Sequence, residues 1–263
     1  MERRFILKEN GLQIPCVLEE PEYCTVRRCI IGVHGICGSK DSQVLEDIAE
    51  EMGLFGAATV RFDLPAHGDS PETDCELSLQ RCQDALTAVA QWAHSVYPFV
   101  DLCIFATGFG AVVTLSALYE LRMIHDPLKV VLQTPNLNMN DSLLNMGRVT
   151  EAEFREAGRI TVGGATMRKV VVPYSFYQEV GQELEDNIIY YNHGVPMLLL
   201  HGELDDMVPY HHLESLRRFN GKSKLVVIPG ADHQFRGRGQ WDMVVDLTRD
   251  WFEFEQVLLC DWI

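Results

Sequence analysis

The chain has 263 residues, 47% of them hydrophobic and 23% charged, so it can bury a sizeable core without disulfides or metal ions. Its 22 basic and 38 acidic side chains give a net charge of −16, which argues against nucleic acid and anionic membrane surfaces as partners. The sequence contains no apolar run near the ~20 residues of a membrane helix and no signal-peptide pattern. Its eight cysteines form no C-x-x-C pair, which favours a reduced, cytoplasmic protein.

Hydrophobic periodicity predicts strands that alternate with helices along most of the chain. In chain order we expect strands over 4–9, 12–19 and 26–33, a helix over 42–54, a strand over 58–62, a helix over 77–96, a strand over 99–106, a helix over 109–122, strands over 128–132 and 195–201, a helix over 209–219, a strand over 224–228 and a helix over 240–256. This alternation predicts an α/β fold with a mostly parallel, eight-stranded sheet flanked by helices.

Residues 135–192 interrupt the alternation. They are polar, carry scattered aromatic residues and lack clear strand periodicity. Because strand–helix units lie on both sides, we interpret this segment as a short cap insertion above the sheet. The sequence therefore predicts a core formed by residues 1–134 and 193–263 and an insertion over 135–192.

Ligands of open α/β sheets bind at the carboxyl ends of the strands, so the segments that follow the strands are the candidate site. Five of them carry histidines, carboxylates or glycine turns. They are His34-Gly35-Ile36-Cys37-Gly38, residues 63–70, Ala106-Thr107-Gly108-Phe109-Gly110, residues 201–209 and residues 229–235.

These five segments, in this order, resemble the α/β-hydrolase superfamily along nearly the whole chain. The resemblance is strongest to small capped esterases, namely cinnamoyl and feruloyl esterases, monoacylglycerol lipases and the serine aminopeptidase group. It implies the α/β-hydrolase fold and a serine-hydrolase type of carboxylic-ester hydrolysis, in which acyl transfer uses a Ser-His-Asp type catalytic triad. The sequence carries no Walker loop, no G-x-G-x-x-G after the first strand and no clustered metal ligands, so we expect no cofactor and no metal ion.

The resemblance also implies a role for individual residues. His233 is the expected general base, and Asp205, in the pattern H-G-x-x-D-x-x-V-P, is the expected acid, with Asp206 as its competitor in register. The backbone N–H groups of Ile36 and Phe109 are the expected oxyanion hole. The order of elbow, acid and histidine is that of α/β-hydrolases.

The chain departs from the family at the nucleophile. The elbow should contain serine at the position of Gly108, and neither Thr107, one residue early, nor Ser116, two turns into the helix, replaces it. Glycine relieves the backbone strain of this turn but removes the hydroxyl. Three explanations stay open: a serine removed deliberately, a natural pseudoenzyme that binds a ligand, and an enzyme that uses His233 without a covalent intermediate.

We expect the ligand to be a small-molecule ester or a related carbonyl compound. Tyr174, Phe176 and Tyr177 of the insertion, with Cys37 beside the expected oxyanion hole, are the candidate binding residues. The alternative is that the three aromatic side chains only pack the insertion onto the core and that Cys37 is a small buried side chain. The sequence leaves homo-oligomerisation open.

Overall fold

The computed structural model describes residues 1–72, 77–126, 128–164, 167–186, 194–208, 213 and 221–254. The strands are β1 (Glu2–Glu9), β2 (Leu12–Glu19), β3 (Arg28–Val33), β4 (Ala57–Phe62), β5 (Asp101–Thr107), β6 (Leu128–Gln133), β7 (Arg159–Gly164), β8 (Met167–Pro173), β9 (Met197–Gly202) and β10 (Ser223–Ile228). The helices are α1 (Gln43–Gly53), α2 (Leu79–Val96), α3 (Phe109–Ser116), α4 (Leu118–Ile124), α5 (Met139–Gly147), α6 (Glu151–Ala157), α7 (Tyr174–Asp186) and α8 (Gln240–Phe254).

Eight strands form one sheet in the order β1-β2-β4-β3-β5-β6-β9-β10. The pairs β1–β2 and β2–β4 are antiparallel, and the remaining neighbours are parallel. The predicted eight-stranded, mostly parallel sheet is thus confirmed. The parallel pairing brings the carboxyl ends of β3, β5, β9 and β10 to the same edge.

The sheet separates two apolar clusters, and its central strands are buried on both faces. The first cluster includes side chains of α2, α3 and the insertion, and the second includes side chains of α1 and α8. In α1 the buried residues Leu45, Ile48 and Met52 recur at helical spacing, so one stripe of the helix faces the sheet. No helix among the described residues is both long and apolar enough to cross a bilayer.

One prediction of secondary structure was wrong, and one pair of strands was not predicted. The single helix expected over 109–122 is two helices, because Ala117 leaves the helical conformation (φ −99°, ψ 5°). Nearby, the Thr114 hydroxyl donates to the Gly110 carbonyl at 2.8 Å, a back-bond that tends to bend helices. The insertion, whose sequence lacks clear strand periodicity, contains the antiparallel hairpin β7–β8. In this hairpin, buried and exposed residues alternate over only a few positions, and a bulge interrupts the pairing. The alternation of apolar and polar residues was therefore too short to be seen in the sequence.

The insertion is attached to the core through α7. The Glu179 carboxylate accepts hydrogen bonds from the backbone N–H groups of Leu79 (2.9 Å) and Gln80 (3.2 Å) in the first turn of α2. The first N–H groups of a helix have no partner inside it, so this carboxylate serves as their acceptor. The helix predicted over 209–219 lies outside the described residues, apart from Leu213.

Candidate active site

Gly108 forms the sharp turn between β5 and α3. Its φ of 49° and ψ of −112° lie where glycine is strongly favoured. Its N–H donates to the Gln133 carbonyl (3.1 Å), and its carbonyl accepts from the N–H of Asn136 (3.3 Å). A Cβ added at Gly108 would meet only Gly35 Cα, at 3.8 Å. The turn is therefore held by its backbone, and there is room for a side chain.

Gly110 explains how α3 begins so close to the sheet. A Cβ at this position would lie 2.6 Å from the carbonyl oxygens of Val33 and His34. Only glycine lets the first turn of α3 contact the end of β3. This contact brings the segment that follows β3 next to the Gly108 turn.

The backbone N–H groups of Ile36 and Phe109 lie in these two neighbouring segments. Phe109 is the first residue of α3, so its N–H has no acceptor within the helix. No hydrogen bond found among the described residues uses either N–H. That these two N–H groups form an oxyanion hole stays a prediction.

Cys37 follows Ile36 with a left-handed backbone (φ 62°) and is buried. A Cβ added at Gly163, in β7, would lie 3.0 Å from Cys37 Sγ, so the hairpin lies against this segment. Burial raises the pKa of the Cys37 thiol to about 11, which keeps it protonated at neutral pH. The side chain therefore packs under the hairpin and supplies no thiolate.

Asp205 and His233 form a hydrogen-bonded pair. Asp205 follows β9, His233 follows β10, and His233 Nδ1 donates to Asp205 Oδ2 at 2.7 Å. The Asp205 side chain has no exposed surface, whereas 27% of the His233 side chain is exposed. A sealed carboxylate thus orients a histidine that solvent and ligands can reach. The neighbouring Asp206 is exposed.

Backbone contacts bring the two segments together. The Leu204 N–H donates to the Ala231 carbonyl at 2.8 Å. A Cβ at Gly202 would lie 2.5 Å from the same carbonyl oxygen, so the approach requires glycine. Phe235, with φ 53°, is buried in the cluster of α1 and α8 and anchors the far end of the loop. Asp232 accepts from Arg236 Nε at 2.7 Å, which points its carboxylate along its own loop.

The Asp205 carboxylate has four donors. Oδ1 accepts from the N–H groups of Met207 and Val208, both at 2.9 Å, and Oδ2 lies 2.7 Å from His233 Nδ1 and 3.3 Å from His201 Nε2. Burial alone would favour the neutral acid. The hydrogen bonds from His201 and His233 outweigh burial and hold the pKa of Asp205 well below its usual range. Asp205 is therefore a carboxylate across the physiological pH range.

His34 and His67 are buried beside the candidate oxyanion segment. His34 Nδ1–H donates to the Gly35 carbonyl (2.8 Å), and its Nε2 accepts from the Leu64 N–H (3.0 Å). His67 Nδ1–H donates to the Pro65 carbonyl at 2.9 Å. Burial lowers the pKa of His34 to about 4 and that of His67 to about 3. Both imidazoles are neutral and brace their loops.

A buried cation joins the same two loops. Lys40 Nζ donates to the carboxylates of Asp63 (2.9 Å), Asp69 (2.6 Å) and Asp41 (3.1 Å). Burial disfavours the charged amine, but the hydrogen bonds to Asp63 and Asp69 outweigh it and raise the pKa of Lys40. Arg168 of the hairpin lies 4.0 Å from Asp69. The ionic cluster connects the segment after β3, the segment after β4 and the insertion.

The aromatic side chains proposed from the sequence as binding residues pack within the insertion and onto α3. Phe176 is fully buried, and its ring meets Phe109 edge-on with centroids 5.4 Å apart. Tyr174 and Tyr177 stack at 5.5 Å, and each contacts Phe154. This packing accounts for the burial of Phe176 and Tyr177 and the partial burial of Tyr174. Their contact with a ligand stays a prediction.

The sequence interpretation missed three residues that shape the site: His201, Lys40 and Glu179. His201 lies four residues before Asp205 in the pattern that identified the acid, so its position was a usable signal. Lys40 and Glu179 carried no signal, because each finds its partners in segments distant along the chain.

Comparison with solved structures places this geometry among known folds. Est1E from Butyrivibrio proteoclasticus, solved with ferulic acid bound, is 19% identical, with a TM-score of 0.74 over 94% of this chain and 97% of that one. Mouse alpha/beta hydrolase domain-containing protein 10 is 14% identical, with a TM-score of 0.75 over 97% and 100%. A soluble variant of monoglyceride lipase from Saccharomyces cerevisiae, in complex with a substrate analogue, is 13% identical, with a TM-score of 0.78 over 98% and 96%. No protein-family model and no curated protein matches the sequence.

The chain has the α/β-hydrolase fold. At these identities the likeness establishes the fold alone. The chemistry must be argued from Gly108, Asp205 and His233 themselves.

Proposed function

We propose that the chain is a carboxylic-ester hydrolase scaffold whose site binds the carbonyl group of an ester or a carboxylic acid. The observation that carries this proposal is the Asp205–His233 pair at 2.7 Å, on the sheet edge that also presents the Gly108 turn. Acyl transfer needs an oriented base and donors for the oxyanion; the pair supplies the base, and the N–H groups of Ile36 and Phe109 are the proposed donors. In this proposal the site has the acid, the base and the oxyanion donors of a serine hydrolase and lacks the hydroxyl at residue 108.

In this chain any hydrolysis uses water as the nucleophile. His233 Nε2 takes a proton from the water as its oxygen attacks the carbonyl carbon, and the carbonyl oxygen becomes an oxyanion held by the N–H groups of Ile36 and Phe109. When the tetrahedral intermediate collapses, the ester C–O bond breaks and His233 returns the proton to the leaving alkoxide. Asp205 holds the imidazole in the tautomer that this cycle requires. Without a positioned hydroxyl, the reaction is slow.

The second candidate is a non-catalytic protein that binds the same ligands. Gly108 favours it, since the turn keeps the backbone geometry of a nucleophile elbow and presents no reacting atom. The two candidates share one carbonyl-binding site and differ only in turnover. His233→Ala separates them, because it abolishes hydrolysis by activated water and leaves ligand affinity nearly unchanged.

The proposed ligand is a small ester or carboxylic acid with an apolar or aromatic substituent. The ferulic acid bound to Est1E supports an aromatic acyl group, and Tyr174, Phe176 and Tyr177 place aromatic side chains in the insertion. We place the protein in the cytoplasm because none of its cysteines is arranged as a C-x-x-C pair.

The test of the proposed function is Gly108→Ser. The added hydroxyl enters open space, and the proposal puts the Asp205–His233 pair within its reach, so the variant should hydrolyse p-nitrophenyl acetate and methyl ferulate at rates well above the parent chain. Gly108→Ala is the matched control, because it adds the same Cβ without an oxygen. A folded serine variant with no turnover above the alanine variant would show that the pair and the oxyanion donors are not aligned for acyl transfer.

Fluorophosphonate probes provide an independent measurement. They trap an activated hydroxyl, so the parent chain should form no adduct and Gly108→Ser should form one per chain by intact mass spectrometry. A stoichiometric adduct on the parent chain, at Thr107 or elsewhere, would relocate the site.

A further inference from the structure

The Asp205 carboxylate is held by a second histidine, His201. This residue lies in β9, four positions before the acid, and its side chain has no exposed surface. Its Nε2 lies 2.6 Å from the Val208 carbonyl oxygen and 3.3 Å from Asp205 Oδ2. A carbonyl can only accept, so Nε2 carries the proton; its N–H donates to the Val208 carbonyl, and the Asp205 carboxylate lies beside it.

The hydrogen bond from His201 to the Val208 carbonyl stabilises the turn formed by residues 205–208. Asp205 Oδ1 draws in the N–H groups of Met207 and Val208, and the Val208 carbonyl is held in return by His201. Two side chains thus hold the 205–208 turn: that of Asp205, which accepts from its N–H groups, and that of His201 in β9, which donates to its last carbonyl. With Oδ1 occupied by two backbone donors, Oδ2 is the oxygen left to face His233.

We propose that His201 is a positioning residue for the Asp205–His233 pair. Its Nε2–H fixes the 205–208 turn and directs Oδ2 at His233 Nδ1. The hydrogen bond, rather than the volume of the ring, is the active feature. The structural part of this proposal stands apart from the proposed function, and only its kinetic consequence rests on His233 acting as a base.

The test compares His201→Gln with His201→Phe. Glutamine keeps a side-chain N–H donor near the place of Nε2, whereas phenylalanine fills the ring volume without a donor. The first readout is the low-field proton NMR signal of the Nδ1–H of His233, assigned by its loss in His233→Ala. We expect His201→Gln to keep this signal and His201→Phe to lose it.

The second readout is kinetic and uses the Gly108→Ser background. A misplaced base lowers the rate of the chemical step, so His201→Phe should reduce kcat about 10- to 100-fold with little change in KM. The kcat of His201→Gln should stay within about threefold of that of the Gly108→Ser chain with His201 intact, since glutamine retains the donor.

The proposal is wrong if His201→Phe keeps both the signal and kcat, or if the two variants lose them equally, because ring volume would then be the cause. If His201→Phe does not fold, His201→Asn replaces it, since its shorter side chain carries a donor that falls short of Val208. Asparagine must then lose the signal that glutamine keeps. An inactive Gly108→Ser chain with the NMR contrast intact would contradict the proposed function and leave the role of His201 standing.

Discussion

Gly108 keeps the backbone conformation of its turn and lacks the hydroxyl that acyl transfer would use. Its carbonyl and N–H are held by residues 133–136, and the space beside it is open. A side chain is therefore tolerated sterically but meets a backbone conformation that L-residues rarely adopt. Serine and alanine at this position should differ in chemistry and agree in strain.

The first prediction concerns that strain. Both Gly108→Ser and Gly108→Ala should lower the free energy of unfolding by about 1–3 kcal/mol, since each places a Cβ at φ 49°. Denaturant unfolding of the three chains measures the change. Equal stability of all three would mean that the turn relaxes when a side chain is present.

The second prediction concerns His34 and His67. Folded, they take a proton only near pH 4 and pH 3, whereas unfolded histidines do so near pH ~6.5. Between these values the unfolded chain binds more protons, so stability present above pH ~6.5 is lost as the pH falls. Each side chain should account for about 2 kcal/mol of loss between pH 7 and pH 5. His67→Asn keeps a donor for Pro65 and should lose less stability over this interval; an unchanged pH dependence would contradict the prediction.

For individual residues, the sequence was informative where a motif specifies which position carries a given side chain. The pattern around residues 201–209 identified Asp205 ahead of Asp206, and the structure joins Asp205 to His233. It was uninformative where partners are distant in sequence, as for Lys40 with Asp63. Motifs report local spacing, whereas buried ionic contacts depend on how loops meet in space.

At the scale of elements, the insertion is attached to the core by a carboxylate at a helix N-terminus. Glu179→Gln keeps the shape of the side chain and removes its charge, so the first turn of α2 loses a favourable charge–dipole interaction of about 1 kcal/mol. Hydrogen exchange of the Leu79 and Gln80 amides should become faster. Glu156→Gln, on the exposed surface of α6, is the control. Unchanged exchange in Glu179→Gln would mean that the carboxylate does not cap α2 in solution.

The hairpin β7–β8 should influence the candidate oxyanion segment through Gly163. A Cβ there would lie 2.1 Å from the Arg168 carbonyl oxygen and 3.0 Å from Cys37 Sγ. Gly163→Ala should therefore displace the segment that carries the Ile36 N–H and weaken binding of a carboxylic acid such as ferulic acid, measured by calorimetry.

Gly164→Ala is the control for Gly163→Ala. Its backbone also has positive φ, but an added Cβ would contact only Lys169 Cε, at 3.8 Å. Equal losses of affinity in the two variants would indicate general damage to the hairpin rather than a push on Cys37.

The hairpin also shows why some elements could not be predicted. Strands of the central sheet are apolar on both faces and stand out in any hydropathy pattern. Strands β7 and β8 bury only two side chains each, and charged residues and glycines lie between them. These two strands form because they pack on the core beneath them, and a local sequence pattern carries no information about that contact.

At the scale of the whole molecule, the net charge of −16 should oppose the approach of a carboxylate ligand. Salt screens this repulsion, so the association rate of an anionic acid should rise with ionic strength. The rate for the matching neutral ester should stay nearly constant. Stopped-flow measurements of both association rates at two salt concentrations test this expectation. An anionic ligand that binds more slowly in high salt would indicate a local positive field at the site.

The glycine at the elbow has a consequence for how much change the chain can absorb. An enzyme that keeps a side chain at such a turn forgoes about 1–3 kcal/mol of stability, a sizeable part of the total for a domain. This chain retains that margin, which enlarges the set of further substitutions it can accept without unfolding. The absence of a side chain at residue 108 thus leaves stability that substitutions in the loops around the ligand can use.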